Sequence, residues 1–348
     1  MDTPCHKRRR KAIWVLGDSG NGGLGGSNGN RARKVRDAFE DDNGGPHADL
    51  VLMLGDNAYP DGKDEEYQDA LFENMYEETL RNSALFPVVG NHEIDGTTIT
   101  NSIYQTGTYY DIFTLPRAGE AGGRRSGTEA YYSFDYGNIH FICLESITPE
   151  GNTTFADAME GWLAADLVAN SKEWIIALWH HPPYSFGTHN TDNASENESE
   201  YMREDDGILE TLEDNGVDLV LVGHSHCYER TMFINGHYSE SDDYDDSVME
   251  IDSGDGDPAG DGAYKKDAQN RGTVYVLAGS ASKSETTTFD EDDSDTFYPA
   301  MSKSFSRLGS VKIEVSNNGN KLDVYFIGQV SPTSNTYGQI DHFRLIQY

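Results

Sequence analysis

The chain has 348 residues, of which 36% are apolar and 11% aromatic, and this composition excludes an extensively disordered protein. Its 60 acidic residues outnumber the 26 basic ones, and the formal charge of −34 makes nucleic acid an unfavourable partner. No stretch approaches the roughly 18 apolar residues that a membrane span requires, so we predict no membrane association.

The composition along the chain predicts a short tail followed by one domain. The basic run at 7–11 is terminal and leads directly into the first apolar run, so we interpret residues 1–11 as an N-terminal tail. Residues 12–348 are then expected to form a single domain. Two acidic stretches, near 239–262 and 285–295, are interpreted as solvated loop insertions into this domain.

Five apolar, β-rich runs are the main signal in the sequence, and each of them ends in a cluster of polar residues. The runs are AIWVLGDSG, DLVLMLGDNAY, LFPVVGNHE, EWIIALWHHPPY and VDLVLVGHSHCYER. Continuous apolar runs of this kind predict strands that are buried on both faces. Helical patterns at 30–40, 64–80, 155–169 and 205–214 lie between most of them, and this alternation is typical of the α/β class.

Further strands are predicted outside these five runs. AYYSFDY and IHFICLE are separated by Gly137 and Asn138, a dipeptide that favours a tight hairpin. Beyond Thr231 the pattern is again β-rich, with TVYVLAG, SVKIEV, KLDVYFIG and HFRLIQ as candidate strands. We expect these C-terminal strands to form a second sheet that packs on the first.

Each polar cluster, taken alone, has an ordinary structural explanation. GDSG at 17–20 is compatible with a turn in which Asp18 caps a helix, and GDNAYPDG is compatible with another turn. A single histidine in GNHE or HHPPY is more often structural than a ligand. GHSHCYER is more specific, because His224 and His226 are two residues apart in an extended segment and can face one site.

Together, the clusters indicate a metal centre. Residues beyond the carboxyl ends of the strands of an α/β sheet can converge, and all five clusters fall at such ends. They supply aspartate, tyrosine, asparagine and histidine side chains, a combination that helix caps do not explain. No GxxxxGK[ST] motif is present, so the sequence offers no sign of a P-loop.

The order GDxG, GDxxY, GNHE, His-x-Pro and GHxH resembles that of the metallophosphoesterases of the calcineurin-like superfamily, and specifically that of the purple acid phosphatases. The resemblance extends over residues 12–231. Two departures from the wider superfamily favour the purple acid branch, since Gly20 stands where a histidine is common and Tyr59 follows Asp56 by three residues. The resemblance implies an α/β fold, a four-layer α/β/β/α sandwich of two mixed sheets flanked by helices.

The resemblance also implies two metal ions held side by side. The implied ligands are Asp18, Tyr59 and His226 for one ion and Asn91, His180 and His224 for the other, with Asp56 bridging the two. Carboxylates and a phenolate suit Fe(III), whereas the neutral ligands of the second site suit zinc, manganese or Fe(II). His181 is the alternative to His180, and the His-x-Pro pattern favours His180 as the ligand.

The implied activity is the hydrolysis of phosphate monoesters by a metal-bound hydroxide, as in acid phosphatases. His92 directly follows Asn91, and His189 lies nine residues beyond His180. Both match family positions whose histidines bind the substrate and protonate the leaving group, so we predict catalytic roles for them. The expected substrate is a small phosphorylated molecule.

Two alternatives to a phosphomonoesterase remain open at the level of the sequence. The same centre serves phosphodiesterases and nucleotidases, because only the surrounding pocket selects the ester. A non-catalytic, metal-dependent binding module is a second alternative, although His92 and His189 argue against it. The family resemblance favours a secreted or periplasmic protein, while this chain shows no apolar signal-peptide core at its N-terminus.

Overall fold

A computed structural model describes residues 11–21, 27–73, 75–94, 100–193, 200–203, 207–266, 271–316 and 318–348. The strands, in chain order, are β1 (Lys11–Leu16), β2 (Leu50–Met53), β3 (Ala84–Pro87), β4 (Tyr132–Tyr136), β5 (Ile139–Cys143), β6 (Trp174–Leu178), β7 (Leu219–Val222), β8 (Tyr228–Thr231), β9 (Phe233–Ile234), β10 (Glu250–Asp252), β11 (Tyr264–Lys266), β12 (Val274–Ala278), β13 (Met301–Phe305), β14 (Gly309–Val315), β15 (Lys321–Gln329) and β16 (Tyr337–Gln347).

Helices connect many of these strands. The α-helices are α1 (Ser27–Asn43), α2 (Asp64–Tyr67), α3 (Glu77–Leu80), α4 (Thr100–Tyr104), α5 (Thr108–Ile112), α6 (Thr148–Gly151), α7 (Thr153–Ala169), α8 (Glu200–Arg203), α9 (Ile208–Asp214) and α10 (Asp246–Met249). A π-helical turn spans Gln68–Phe72, and 3-10 turns span Ser241–Asp243 and Ser294–Thr296. Within the described ranges, no helix is both long and apolar enough to span a bilayer.

Two large mixed sheets dominate the described part of the fold. The first has the order β11-β16-β15-β14-β1-β2-β3, and the second has the order β13-β8-β12-β7-β6-β5-β4. In the first sheet β1, β2 and β3 are parallel, and in the second β5, β6, β7 and β12 are parallel. Each sheet therefore has one edge at which the carboxyl ends of several neighbouring strands meet.

The C-terminal strands do not form a sheet of their own, so that prediction is wrong. β14 pairs antiparallel with β1, and β15 and β16 extend the first sheet from there. β12 instead lies between β7 and β8 in the second sheet. An apolar pattern identifies a strand without identifying its neighbours, because the pattern is the same in either sheet. The five strand ends with polar clusters are consequently divided between the two sheets.

Helices cover the outer face of each sheet. On the first sheet, the Trp14 ring of β1 stacks on Phe39 of α1 with ring centroids 4.1 Å apart. On the second, Ile175 and Ala177 of β6 belong to a cluster with side chains of α7 and α9. Ile176 of the same strand belongs instead to the core shared by both sheets. The alternation of strand side chains thus buries both faces of the second sheet, and the predicted four-layer α/β/β/α sandwich is confirmed.

The helix predictions are confirmed at α1, α7 and α9, except that residues 205 and 206 of the last one lie outside the described ranges. The predicted helix at 64–80 is confirmed only in part, because α2, the π-helical turn and α3 lie within it but the helix is interrupted between Phe72 and Glu77. The chain leaves the π-helical turn in an extended conformation at Glu73, where ψ is 150°. Tyr76 then enters the core edge-on to Trp14, with centroids 5.4 Å apart. Tertiary packing here outweighs the helical periodicity of the segment.

Other local predictions have mixed outcomes. β4 and β5 form the predicted hairpin, with Tyr136 opposite Ile139 and Gly137 at a φ of 63°. Residues 1–10 of the predicted tail lie outside the described ranges, and Lys11 is already the first residue of β1. The acidic stretch at 239–262 is not entirely a loop, because it contains α10 and β10, and β10 pairs with β9.

Candidate metal centre

The strand ends of the two sheets meet between the sheets. The turn after β1 carries Asp18, the turn after β2 carries Asp56, and His180 follows β6 of the second sheet. One potential ligand atom from each of these three residues lies within 4.8 Å of those from the other two. All three residues are at most 2% exposed. The predicted convergence is therefore present, although it joins two sheets rather than the strands of one.

One group of donor atoms consists of Asn91, His180 and His224, which we call the neutral group. The Asn91 Oδ1 lies 3.0 Å from the His180 Nε2 and 3.1 Å from the His224 Nδ1. The two histidine nitrogens are 3.2 Å apart. Three potential ligand atoms thus face a common point from three different strand ends.

The protonation states of the two histidines in the neutral group favour the binding of a cation. The His180 Nδ1 lies 2.7 Å from the carbonyl oxygen of Leu54, which can only accept, so Nδ1 is the donor and Nε2 is the nitrogen that carries the lone pair of the neutral ring. Burial lowers the pKa of His224 well below its usual value, and the neighbouring histidines His181 and His180 lower it further. A neutral imidazole is the form that binds a metal, so this group suits a divalent ion.

A second group consists of Asp18, Tyr59 and His226, which we call the anionic group. The Tyr59 hydroxyl donates to the Asp18 Oδ1 over 3.1 Å and lies 3.5 Å from the His226 Nε2. The same nitrogen is 3.6 Å from the Asp18 Oδ1. The three side chains are at least nine-tenths buried. Two oxygens and one nitrogen therefore converge here as well.

The protonation of the anionic group should change when a metal ion binds. Burial raises the pKa of Tyr59 well above its usual value, and the carboxylates of Asp18 and Asp56 add to this effect. Burial alone raises the pKa of Asp18, but the hydrogen bond to His226 and the charges of His180 and His226 outweigh it, and the pKa lies below its usual value. A bound cation would instead favour the deprotonated form of Tyr59, so metal binding at this group should release protons.

Asp56 lies between the two groups. Its Oδ1 is 3.4 Å from the His180 Nε2, and its Oδ2 is 3.7 Å from the His92 Nε2. Its ligand oxygen is also within 4.8 Å of that of Asp18 in the anionic group. A carboxylate with two oxygens at this position suits the bridge between two ions.

Three of the predicted ligands adopt left-handed backbone conformations. The φ angles are 55° at Asp18, 53° at Asp56 and 68° at His224. Such conformations are unfavourable for residues other than glycine and cluster at functional sites, where surrounding contacts impose them. Each of the three directly follows a glycine at a strand end, so the turn aims the side chain back into the space between the sheets.

A model of the calcineurin-like phosphoesterases matches residues 11–228, which is more than half of the chain. The chain belongs to the calcineurin-like phosphoesterase family. Among curated relatives, "Purple acid phosphatase 15" of Arabidopsis thaliana is 35% identical over 150 residues, covering 42% of this chain and 25% of the relative. "Acid phosphatase type 7" of Homo sapiens is 28% identical over 194 residues, covering 52% of this chain and 40% of the relative. The phosphoesterase spans less than half of the length of either relative.

Solved structures support the fold assignment of this phosphoesterase. The purple acid phosphatase PPD1 from yellow lupin (Lupinus luteus) superposes with a TM-score of 0.61 over 97% of this chain and 54% of the other, at 16% identity. GAP50, described as the anchor in the inner membrane complex of Plasmodium, superposes with a TM-score of 0.55 over 96% of this chain and 89% of the other, at 15% identity. The predicted resemblance to purple acid phosphatases is confirmed.

Glu93 organises the site, although the sequence predicts no role for it. Its buried carboxylate accepts hydrogen bonds from the backbone amides of Asp56, Asn57, Ala58 and Gly90 at 2.7–3.1 Å. Burial raises the pKa of Glu93 to about 8, assisted by the Asp56 charge and opposed by these amide bonds. Glu93 thus fixes the turn that presents Asp56 and the turn that precedes Asn91.

The presence of glycine at position 20 of this phosphoesterase has a steric explanation. A Cβ at position 20 would lie 2.6 Å from the backbone nitrogen of Ala58, a distance that the main chain does not tolerate. The Gly20 amide donates to the Asp56 carbonyl over 3.0 Å, and the Tyr59 amide donates to the Gly20 carbonyl over 3.1 Å. The turns after β1 and β2 are therefore bonded together at the residue where the wider superfamily commonly carries a histidine.

His92 and His189 both lie beside the two groups. The His92 Nδ1 is 2.6 Å from the carbonyl oxygen of Pro60, and its ring meets the Tyr59 ring edge-on with centroids 4.6 Å apart. The His189 ring lies over that of His224, with centroids 3.8 Å apart. The His189 amide donates to the Ser225 Oγ over 3.2 Å. Both predicted catalytic histidines thus contact side chains of the two groups.

His181 also lies next to the neutral group. Its Nδ1 is 2.9 Å from the Ser146 Oγ, and its ring centroid is 4.3 Å from that of His224. His180, His181 and His224 can together present ligand atoms within 4.8 Å of one another. Only His180 among the two neighbours also approaches Asp56, and this favours the predicted choice of His180.

The loop after β12 also reaches the site, which the sequence does not predict. The Glu285 carboxylate lies 3.3 Å from the His226 Nδ1, and the Lys283 ammonium lies 4.1 Å from the centre of the Tyr59 ring. The acidic stretch at 285–295, interpreted as a solvated loop, therefore begins at the anionic group. No pattern in the sequence marks this loop, because the residues after β12 read GSASK and lack typical metal ligands.

Proposed function

We propose that this phosphoesterase hydrolyses phosphate monoesters at a centre of two metal ions. One observation carries the proposal: the Asp56 carboxylate lies within reach of both the neutral group and the anionic group. A lone histidine or aspartate has many structural explanations, but two adjacent donor sets that share a carboxylate have few. The relatives named acid phosphatases support the same activity.

The anionic group and the neutral group suit different ions. We propose Fe(III) at Asp18, Tyr59 and His226, because carboxylate and phenolate oxygens prefer hard, highly charged cations. We propose zinc, manganese or Fe(II) for the neutral group, whose amide and imidazole ligands add no charge. Together the ions make the floor of the site positive within a protein of formal charge −34, and a small phosphorylated substrate is attracted to it.

The protein's own residues would prepare the reaction around these ions. When bound, the two ions supply an acidic water at neutral or acidic pH and positive charge for the ester oxygens. His92, beside Asp56, would donate to a phosphoryl oxygen. His189, over His224, would give a proton to the departing alkoxide. The water oxygen bonds to phosphorus as the ester P–O bond breaks, so the products are inorganic phosphate and an alcohol.

Non-catalytic binding is the alternative from another class, since one protein of similar fold is described as an anchor. Fold similarity alone does not choose between these roles. His92 and His189 favour catalysis here, because a purely binding module has no need of proton donors beside its metals. A secreted or periplasmic location stays a prediction of the family resemblance.

The first experiment combines metal analysis with a visible spectrum of protein purified without chelators. We expect two metal ions per chain and a violet or pink colour from charge transfer between the Tyr59 phenolate and Fe(III). Tyr59→Phe should be colourless. A colourless, iron-free and active wild-type protein would contradict the ferric assignment while leaving a two-metal phosphatase in place.

The second experiment measures hydrolysis of p-nitrophenyl phosphate and of its bis-ester. We expect the monoester to be preferred, and Asp56→Asn to lower monoester turnover by about 1,000-fold together with the metal content. Asp61→Asn, at a half-exposed carboxylate paired with Lys63, is the matched control and should leave both unchanged. Full metal occupancy without hydrolysis of any ester would refute the proposed function.

A further inference from the structure

Lys283 lies on the loop after β12 and faces the anionic group. Its ammonium is 4.1 Å from the centre of the Tyr59 ring. The ring of Tyr59 also meets His92 edge-on, with centroids 4.6 Å apart. Burial and, to a smaller extent, the positive charge of Lys283 lower the pKa of His226, and Asp18 outweighs both. A lysine therefore stands beside two proposed metal ligands and near a proposed substrate-binding histidine.

The loop that carries Lys283 is bonded directly to the turn of Asp18. The Ala281 amide donates to the carbonyl of Gly17 over 3.1 Å. The Ser282 hydroxyl donates to the Asp18 carbonyl and accepts from the Asn21 side chain over 3.0 Å. The residue immediately before Lys283 is thus fixed to the metal turn, which limits where the lysine side chain can reach.

Lys283 has no carboxylate partner in the part of the chain that the structure describes. Glu285, two residues away, contacts His226 instead. An ammonium without a carboxylate partner is unexpected in a protein whose acidic residues outnumber its basic ones by 60 to 26. A free positive charge at the border of a phosphate site has an obvious use, because charge-assisted hydrogen bonds to phosphoryl oxygens are strong.

We propose that Lys283 binds a non-bridging phosphoryl oxygen of the substrate and thereby sets a preference for monoesters over diesters. The inference rests on the proposed function and deepens it by assigning the ester class to one residue. A monoester carries up to two negative charges and a diester carries one, so an additional cation stabilises the bound monoester more. A diester also replaces one of the charged oxygens with a second ester group, which an ammonium binds less well.

The test measures kcat and KM of wild type, Lys283→Met, Lys283→Gln and Lys283→Arg on p-nitrophenyl phosphate and on its bis-ester. For the Met and Gln variants we expect kcat/KM to fall by about 30-fold on the monoester, mainly through KM, and by less than about 3-fold on the diester. The inhibition constant of inorganic phosphate should rise by about 10-fold. Lys283→Arg should keep most of the monoester preference, because it retains the charge.

Lys34→Met is the matched control, since it also removes one ammonium, from an exposed site on α1 where Lys34 donates to Asn335. It should leave the ratio of monoester to diester activity unchanged. Metal content and melting temperature of every variant are measured alongside, so that loss of folding is recognised. The two uncharged replacements at position 283 differ in polarity, and both must give the same ratio.

Three outcomes would overturn the inference. An unchanged ratio of monoester to diester activity in the uncharged variants would show that Lys283 does not select the substrate. A shift of the Tyr59 charge-transfer band without a change in the ratio would assign Lys283 to the phenolate alone. Wild-type protein that hydrolyses neither ester would refute the proposed function itself, and this result is distinct from the other two.

Discussion

The backbone amide of His224 donates a hydrogen bond to the Oδ2 of Asp18 over 2.8 Å, and so it bonds the turn after β7 to the turn after β1. These turns belong to different sheets. The other carboxylate oxygen of Asp18 faces Tyr59 and His226. One side chain thus holds the two halves of the site together while contributing to the anionic group.

Asp18→Asn should separate the two metal sites. The amide loses the negative charge that the anionic group offers to an ion, while the neutral group keeps all its atoms. We expect the variant to retain one ion, lose the other and lose the visible colour, as measured by mass-spectrometric metal analysis and absorption. Retention of both ions with an unchanged spectrum would argue against the assignment of Asp18.

Glu93→Gln should weaken the site without touching a metal ligand. A glutamine keeps one acceptor oxygen but places an NH₂ group against backbone amides that now donate to Glu93. We expect a loss of about 1–3 kcal/mol in the free energy of unfolding of the metal-free protein, measured with urea, and weaker metal retention during dialysis. Glu66→Gln is the control, because that exposed carboxylate also accepts two backbone amides and should cost less.

His189→Gln should reveal a proton donor through its dependence on the leaving group. Alkyl phosphates need a proton on the departing oxygen, whereas p-nitrophenolate leaves without one. We expect kcat to fall by about 100-fold on an alkyl phosphate and by much less on p-nitrophenyl phosphate. The same loss on both substrates would assign His189 to binding rather than to proton transfer.

His140, which belongs to neither group of candidate ligands, should make the free energy of unfolding depend on pH. Burial alone lowers the pKa of His140, but Asp166 and Asp135, each 2.8 Å from a ring nitrogen, outweigh it and raise the pKa above 6.5. The charged ring is therefore favoured in the folded state. This contribution is complete below pH 6.5 and is lost as the pH rises through the higher folded value.

The measurement for His140 is urea unfolding of wild type and His140→Gln across this pH range. The difference in free energy of unfolding between the two proteins should be largest below the usual pKa and should shrink as the pH rises. A difference that grows with pH would contradict the assigned charge state.

Arg230 and Asp341 form a buried ion pair that joins β8 of the second sheet to β16 of the first. The guanidinium Nε and Nη2 donate to the two carboxylate oxygens over 2.7 and 3.1 Å. Asp341→Leu should cost about 3–5 kcal/mol in urea unfolding, because it leaves a buried charge unpaired. Combining it with Arg230→Met should recover most of that loss. A double variant as unstable as the single one would mean that packing, not the charge, carries the effect.

The convergence of the candidate ligands could be predicted from the sequence because each follows an apolar run within a short polar motif, as Asp18 follows β1 and His224 follows β7. Glu93 could not be assigned a role in the same way. Its partners are backbone amides, and a main-chain donor leaves no trace in the residue types around it. Lys283 and Glu285 were missed because a loop that follows β12 reaches the site only through the tertiary fold.

The sequence also could not predict which strands belong to which sheet. β1 and β14 are neighbours in the sheet although they lie near opposite ends of the chain. Ile13 pairs with Ile313, but an apolar residue at this position is compatible with pairing to any buried strand. The four layers followed from the family resemblance rather than from periodicity. The break in the helix predicted at 64–80 came from the packing of Tyr76 against Trp14, which no local pattern contains.

The contact at Gly20 has a consequence for attempts to redesign the site. Any side chain at position 20 would strike Ala58, the residue immediately before Tyr59. This backbone therefore does not accommodate an imidazole at position 20, whatever side chain stands at position 59. Exchanging one ligand chemistry for the other would require rerouting the turn after β2, so a single point mutation cannot convert this centre into the histidine-bearing type.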